Sequence, residues 1–116
     1  MFKMNIVSKI FLAAFLILVF GSISFAEDDT VQIKLVIQNG KFEPSELKAP
    51  ANKRIELLVE NKGPGAEEFE SKELKREKVI PEGQTVKITL GTLKKGKYKF
   101  FGDYHSETAQ GKLVVE

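Results

Sequence analysis

From residue 31 onward, apolar and polar residues alternate in short segments separated by turn signals. Val31, Ile33, Leu35 and Ile37 fall on one side of residues 31–38, and Gln32 and Lys34 on the other, which predicts a half-buried strand. Asn39-Gly40 is the strongest hairpin-type turn signal in the chain. Phe42-Glu43-Pro44-Ser45 and Glu46-Leu47-Lys48-Ala49 follow it, and residues 50–53 turn again. Residues 54–60 form a second clear strand with Ile55, Leu57 and Val59 inward. Asn61-Lys62-Gly63-Pro64-Gly65 reads as a loop, and residues 66–71 as a short strand. Lys72 to Lys78 is open between one turn of helix and a charged strand edge. Pro81-Glu82-Gly83-Gln84 turns into a strand at 85–90, with Val86, Ile88 and Leu90 inward. Lys94-Lys95-Gly96 is the next turn. Residues 98–101 and 112–116 are the last strands, joined by 102–111. Turn signals every 8–12 residues and no core-helix period predict an all-β, Greek-key β-sandwich.

The first 26 residues follow another pattern. Lys3 and Lys9 precede an unbroken apolar run, IFLAAFLILVF, from Ile10 to Phe20. Gly21 and Ser22 end the run, and Ser24 and Ala26 supply small residues ahead of Glu27-Asp28-Asp29. This is the layout of a secretory signal peptide, 1–26, cleaved after Ala26 to leave a domain at 27–116. The run is short for a spanning helix, which needs ~20 residues. Contact with the membrane is therefore expected only through an uncleaved segment or through a partner. Residues 27–30 read as a frayed acidic start.

Composition narrows the chemistry. There are 116 residues, no Cys, no Trp and one His. Without Cys there is no disulfide, thiol nucleophile, Cys-ligated zinc or acylated lipoprotein Cys. The formal charge of +2 belongs to the precursor. Losing Lys3 and Lys9 leaves 16 basic residues against the 16 acidic ones, a neutral chain with no case for nucleic acid. No phosphate-binding glycine loop, Ser-x-x-Lys pair or Ser/His/Asp arrangement is present, so a binding protein is expected and not an enzyme.

Several residues carry a resemblance. Phe42-Glu43-Pro44, Asn61 ahead of Glu68-Phe69-Glu70, the Pro81-x-Gly83 turn, and Gly96-x-Tyr98-x-Phe100 before His105 and Gly111-Lys112 resemble the cupredoxin-like domain over essentially all of residues 31–116. The closer similarity is to the secreted, EfeO-type cupredoxin-like proteins associated with bacterial iron uptake. The resemblance places one blue-copper histidine position near Glu67 or Glu68, the cysteine position on Gly102, the second histidine on His105 and the axial position at or beside Gln110. A type 1 copper centre, built from two His, one Cys and a weak axial ligand, is therefore not expected. Some of the iron-uptake relatives also carry Cys where this chain has Phe42 and Gly102.

What remains is rich in oxygen. On a strand Glu68 and Glu70 share one face, while Glu67 and Phe69 share the other. The expected metal ligands are Glu68, Glu70, Asp103 and His105, with Glu67, Glu107 and Gln110 as weaker candidates. Carboxylate with imidazole suits Fe(II), Mn(II), Zn(II) or Cu(II). Met1 and Met4 leave with the signal segment, so Cu(I) handling is not expected. The competing reading of the glutamates is a set of solvated strand ends facing Lys72 and Lys75. The resulting expectation is a periplasmic or secreted bacterial protein that takes up iron or Cu(II) and hands it to an iron permease or another periplasmic metal-binding protein. The alternative is a degenerate cupredoxin acting as a metal-free protein-interaction module.

Overall fold

The computed structural model describes residues 30–116. The expected signal segment at 1–26 lies outside the described residues, as do 27–29 of the acidic start. The described residues form nine strands: β1 Thr30–Gln38, β2 Lys41–Glu43, β3 Glu46–Ala49, β4 Arg54–Asn61, β5 Glu67–Ser71, β6 Arg76–Ile80, β7 Thr85–Thr92, β8 Gly96–Gly102 and β9 Gln110–Val115. One 3-10 turn, Asp103–His105, follows β8.

The strands make two sheets, in the orders β2-β1-β4-β7 and β3-β9-β8-β5-β6. Within them, β1 runs parallel to β4 and β3 parallel to β9, while the other pairs are antiparallel. Each sheet turns one apolar face inward, as period-two alternation requires. The first contributes Leu35, Ile37, Ile55, Leu57, Val59, Ile88 and Leu90 to the core, and the second Leu47, Phe69, Ile80, Phe100, Leu113 and Val115. This is the expected all-β sandwich.

The segment left open between helix and strand resolves as neither alone. Residues 72–75 are a turn, and residues 76–80 are β6, the edge strand beside β5. The cause is local. Leu74 is buried, its N–H donates to Ser71 Oγ at 3.0 Å, and that hydroxyl donates to Lys99 O at 2.6 Å. Lys75 then takes a left-handed φ of 57°, which reverses the chain before a helix can propagate.

Three phenylalanines hold the sandwich together below the site. The ring centroids of Phe42 and Phe100 are 5.0 Å apart, and those of Phe69 and Phe100 are 5.1 Å apart. Phe69 is fully buried and belongs to β5, so its packing fixes which way that strand faces. Phe69→Ala is expected to cost about 3–5 kcal/mol of stability, the range for emptying a buried aromatic site. A denaturant melt followed by circular dichroism measures it, and a loss under 1 kcal/mol would show that β5 is not anchored in this way.

Candidate metal site

β5 carries carboxylates on both of its faces. Glu67, Phe69 and Ser71 point inward and are buried, while Glu68 and Glu70 point outward and are half-buried. The register with β8 pairs Phe69 with Gly102 and Glu70 with Phe101. The 3-10 turn starts one residue beyond Gly102, so Asp103 arrives beside the outer face. One oxygen each from Glu68, Glu70 and Asp103 lie within 4.8 Å of one another. Ligand oxygens across a bound dication are separated by about 4–5 Å, twice the ligand distance.

A fourth carboxylate borders this cluster. Glu77 of β6 stands opposite Glu70 in the ladder. A hydrogen bond between the Glu77 and Glu68 carboxyls, followed by desolvation and the charges of Glu77, Asp103 and Glu70, raises the Glu68 pKa to about 7. Among the described residues neither Glu68 nor Glu70 forms an ion pair with Lys72 or Lys75. Glu77 was not among the residues singled out from the sequence. Placing 76–80 as a strand antiparallel to β5 would have found it.

The inner face carries a different arrangement. Glu67 is 1% exposed, and its carboxylate is fully engaged. Oε1 accepts the N–H of Glu68 at 3.0 Å and of Tyr104 at 2.8 Å, and Oε2 lies 2.6 Å from His105 Nδ1. The loop before β5 and the loop after β8 therefore meet at one end of the sandwich. His105 itself does not join Glu68, Glu70 and Asp103. Glu67 is neither a solvated strand end nor part of the outer cluster; it is the inward partner of His105.

The weaker candidates lie elsewhere. Glu107 is exposed in the turn after the 3-10 segment. The Gln110 side-chain amide donates to Ser106 O at 3.0 Å and braces that turn.

The Glu67, Gly102 and His105 corner does not fit a type 1 copper centre. No thiolate is available, and a Cβ on Gly102 would lie 2.7 Å from Glu67 Cδ and 2.8 Å from Ala109 Cβ. The Glu67 carboxylate fills the space that a cysteine side chain would need. This is a property of the donor set and its packing.

Comparison with known proteins bears on the fold and its lineage. A family model described as a cupredoxin-like domain matches residues 10–115. The uncharacterized protein RP394 of Rickettsia prowazekii is 40% identical over 88 residues, which is 76% of this chain and 70% of that protein. Auracyanin A, a blue copper protein of Chloroflexus aurantiacus, superposes with a TM-score of 0.64 at 16% identity, covering 75% of this chain and 99% of its own. The metal-binding domain of the Streptococcus pneumoniae Cu(I)-exporting ATPase CopA does so with a TM-score of 0.65 at 13% identity, covering 77% and 88%. These two likenesses show a fold shared with copper-binding proteins. By the family match, the chain belongs to the cupredoxin-like domain family.

Proposed function

We propose that the protein is a binding accessory, not an enzyme. Exported by its first 26 residues, it takes up a transition-metal dication outside the cytoplasm and passes it to a permease or to a second metal-binding protein. The observation that carries this reading is the outer-face cluster of Glu68, Glu70 and Asp103, whose oxygens lie within 4.8 Å of one another. Close-packed anions repel one another, and a dication relieves that repulsion. The raised Glu68 pKa, about 7, expresses the same excess of negative charge. Two half-buried ligands and one exposed one, with no imidazole, favour exchangeable binding, which a handover protein needs. In an oxygen-donor set of this kind the affinity order runs towards Cu(II). Iron enters through the resemblance to iron-uptake proteins and not through the donor set.

A second reading has its own support. The family's ligand positions hold a self-satisfied Glu67–His105 pair, and Gly102 stands at the thiolate position. A cupredoxin scaffold kept for protein contacts alone would look the same there.

Two measurements test the proposal. Calorimetric titration with Cu(II), Zn(II), Mn(II) and, under anaerobic conditions, Fe(II) is expected to show one site. Replacing Glu68, Glu70 and Asp103 together with Gln, Gln and Asn should weaken it at least tenfold. Equal binding by the variant would remove the cluster as the site, and no one-site binding by the wild type would leave the metal-free reading standing.

The second measurement is pH dependence. A metal bound at Glu68 must displace its proton, so affinity should rise about tenfold per pH unit below about 7 and level off above it. Without metal the folding linkage runs the other way. The raised pKa means that the folded state holds a proton the unfolded chain has released. Stability should therefore decline as pH rises from the model-peptide value of 4.5 towards about 7. Glu77→Gln should move the Glu68 titration, followed by carboxyl NMR, back towards the ordinary carboxylate range. An unchanged midpoint would remove Glu77 as the main cause.

A further inference from the structure

The described charges are segregated along the sandwich. Two short turns join the sheets at one end: residues 50–53 run from β3 into β4, and residues 93–95 run from β7 into β8. The ladders set Thr30, Arg54 and Thr92 side by side at this end of the first sheet, and Ala49, Gly96 and Val115 at the same end of the second. Lys53, Arg54, Lys94 and Lys95 therefore share the end, with Lys48 and Lys97 one position in from it. All six are exposed, and among the described residues none of them forms an ion pair. The backbone that carries them is held. Ala51 N–H donates to Glu116 O at 3.2 Å, and the Tyr98 hydroxyl donates to Lys94 O at 2.6 Å. Ala51, Leu93 and Tyr98 pack against the core. The acids gather towards the opposite end, where Glu68, Glu70, Glu77 and Asp103 are joined by Glu82 and Glu107 in the loops. Near the basic end stand Glu116 and, in sequence, Glu27, Asp28 and Asp29 directly ahead of Thr30. They oppose the six bases without outnumbering them.

A chain of near-neutral net charge is thus strongly dipolar, and an anionic surface relieves the unpaired charges at its basic end. The place where the rest of the chain joins says which surface. The apolar run Ile10–Phe20 reaches Thr30 through residues 21–29, at most ~30 Å of chain. The basic end is the one this tether brings to a bilayer that holds the run. We propose that this end docks on the anionic phospholipid headgroups of a membrane, with Lys53, Arg54, Lys94 and Lys95 as its contacts. The Glu68–Glu70–Asp103 cluster then faces away from the bilayer. Screening permits this posture. The headgroup field decays over about 8–10 Å, whereas β8 alone carries the chain about 20 Å from Gly96 to Gly102. The lysines sit inside the field and the carboxylates outside it. Before cleavage after Ala26 the apolar run keeps the domain at the surface, and afterwards the basic end acts alone. The inference goes beyond the handover reading and needs no metal.

Amine-reactive footprinting, read residue by residue by mass spectrometry, tests it on the full chain reconstituted into vesicles without metal. On vesicles of one-third phosphatidylglycerol in phosphatidylcholine, Lys53, Lys94 and Lys95 should label at least threefold more slowly than on pure phosphatidylcholine. Lys41 and Lys62, at the acidic end, should label equally on both. High salt should erase the difference. In the combined variant Lys53→Gln, Arg54→Gln, Lys94→Gln and Lys95→Gln, the remaining Lys48 and Lys97 report. Their protection should vanish, since each basic residue at an anionic leaflet is worth about fivefold in binding.

Equal labelling of wild-type Lys53, Lys94 and Lys95 on the two vesicles overturns the proposal, and this comparison needs no variant to fold. Protection that extends equally to Lys41 and Lys62 overturns it as well, and so does protection of Lys48 and Lys97 that survives in the variant. Soluble poly-glutamate stands in for an acidic protein partner. Protection by that polymer, with none on the anionic vesicles, assigns the basic end to such a partner and removes the membrane.

Discussion

A carboxylate buried to 1% exposure dictates much of what surrounds it. Such a group is tolerable in a protein interior only when its oxygens find donors. Glu67 finds three, from its neighbour Glu68, from Tyr104 and from the His105 ring. To supply the last two, the chain after β8 must turn back at once over the start of β5. The 3-10 turn Asp103–His105 does this. The same carboxylate explains the glycine before that turn, because a side chain at 102 would occupy its space. Glu67 shares the inward face of β5 with Phe69, whose packing fixes the strand's phase. Phe69 then enters the core, and Glu68 and Glu70 are forced to the outer face. The acidic cluster is in this sense a consequence of the buried pair behind it.

Much of this architecture is legible in the sequence because the alternation is strong. Val31 to Ile37, Ile55 to Val59 and Val86 to Leu90 have one apolar face each, and the core receives most of those side chains. The shared outward face of Glu68 and Glu70 follows from the same rule. What the sequence hides is of two kinds. Glu67 is a charged residue at an inward position, and a pattern of hydrophobicity cannot anticipate a carboxylate whose partners come from residues 37 and 38 positions away. Asp103 and His105, two residues apart, would share a face on a strand. On a 3-10 turn of about three residues they are rotated well away from each other. Asp103 thus joins the outer carboxylates while His105 turns to Glu67. The edge strand β6 was obscured because KELKREK has no apolar face, and with it went Glu77.

The chain has a cupredoxin-like fold without the thiolate that a type 1 copper centre needs. In that fold a metal ion ties loops from different strands together. Here a hydrogen-bonded carboxylate and imidazole connect the same two loops, and the link needs no thiol. With no Cys in the sequence, the fold holds without a disulfide. Glu67 and Gly102 depend on each other, since the carboxylate requires the glycine and fills the room it leaves. A side chain added at 102 would crowd the site, and a smaller residue at 67 would empty it.

The two faces of β5 separate two kinds of ligand chemistry. Outward, hard oxygen donors crowd together with a carboxyl whose pKa is raised to about 7 by its acidic neighbours. Inward, one nitrogen of a single imidazole is engaged so that the other is left free. A site combining all four residues would hold an ion tightly and release it slowly. Instead three oxygens gather on the outer side of β5, and the imidazole pairs with Glu67 on the inner side. The strand that makes the division is fixed by Phe69 in the core, so the division follows from how β5 packs and persists whether or not a metal is present.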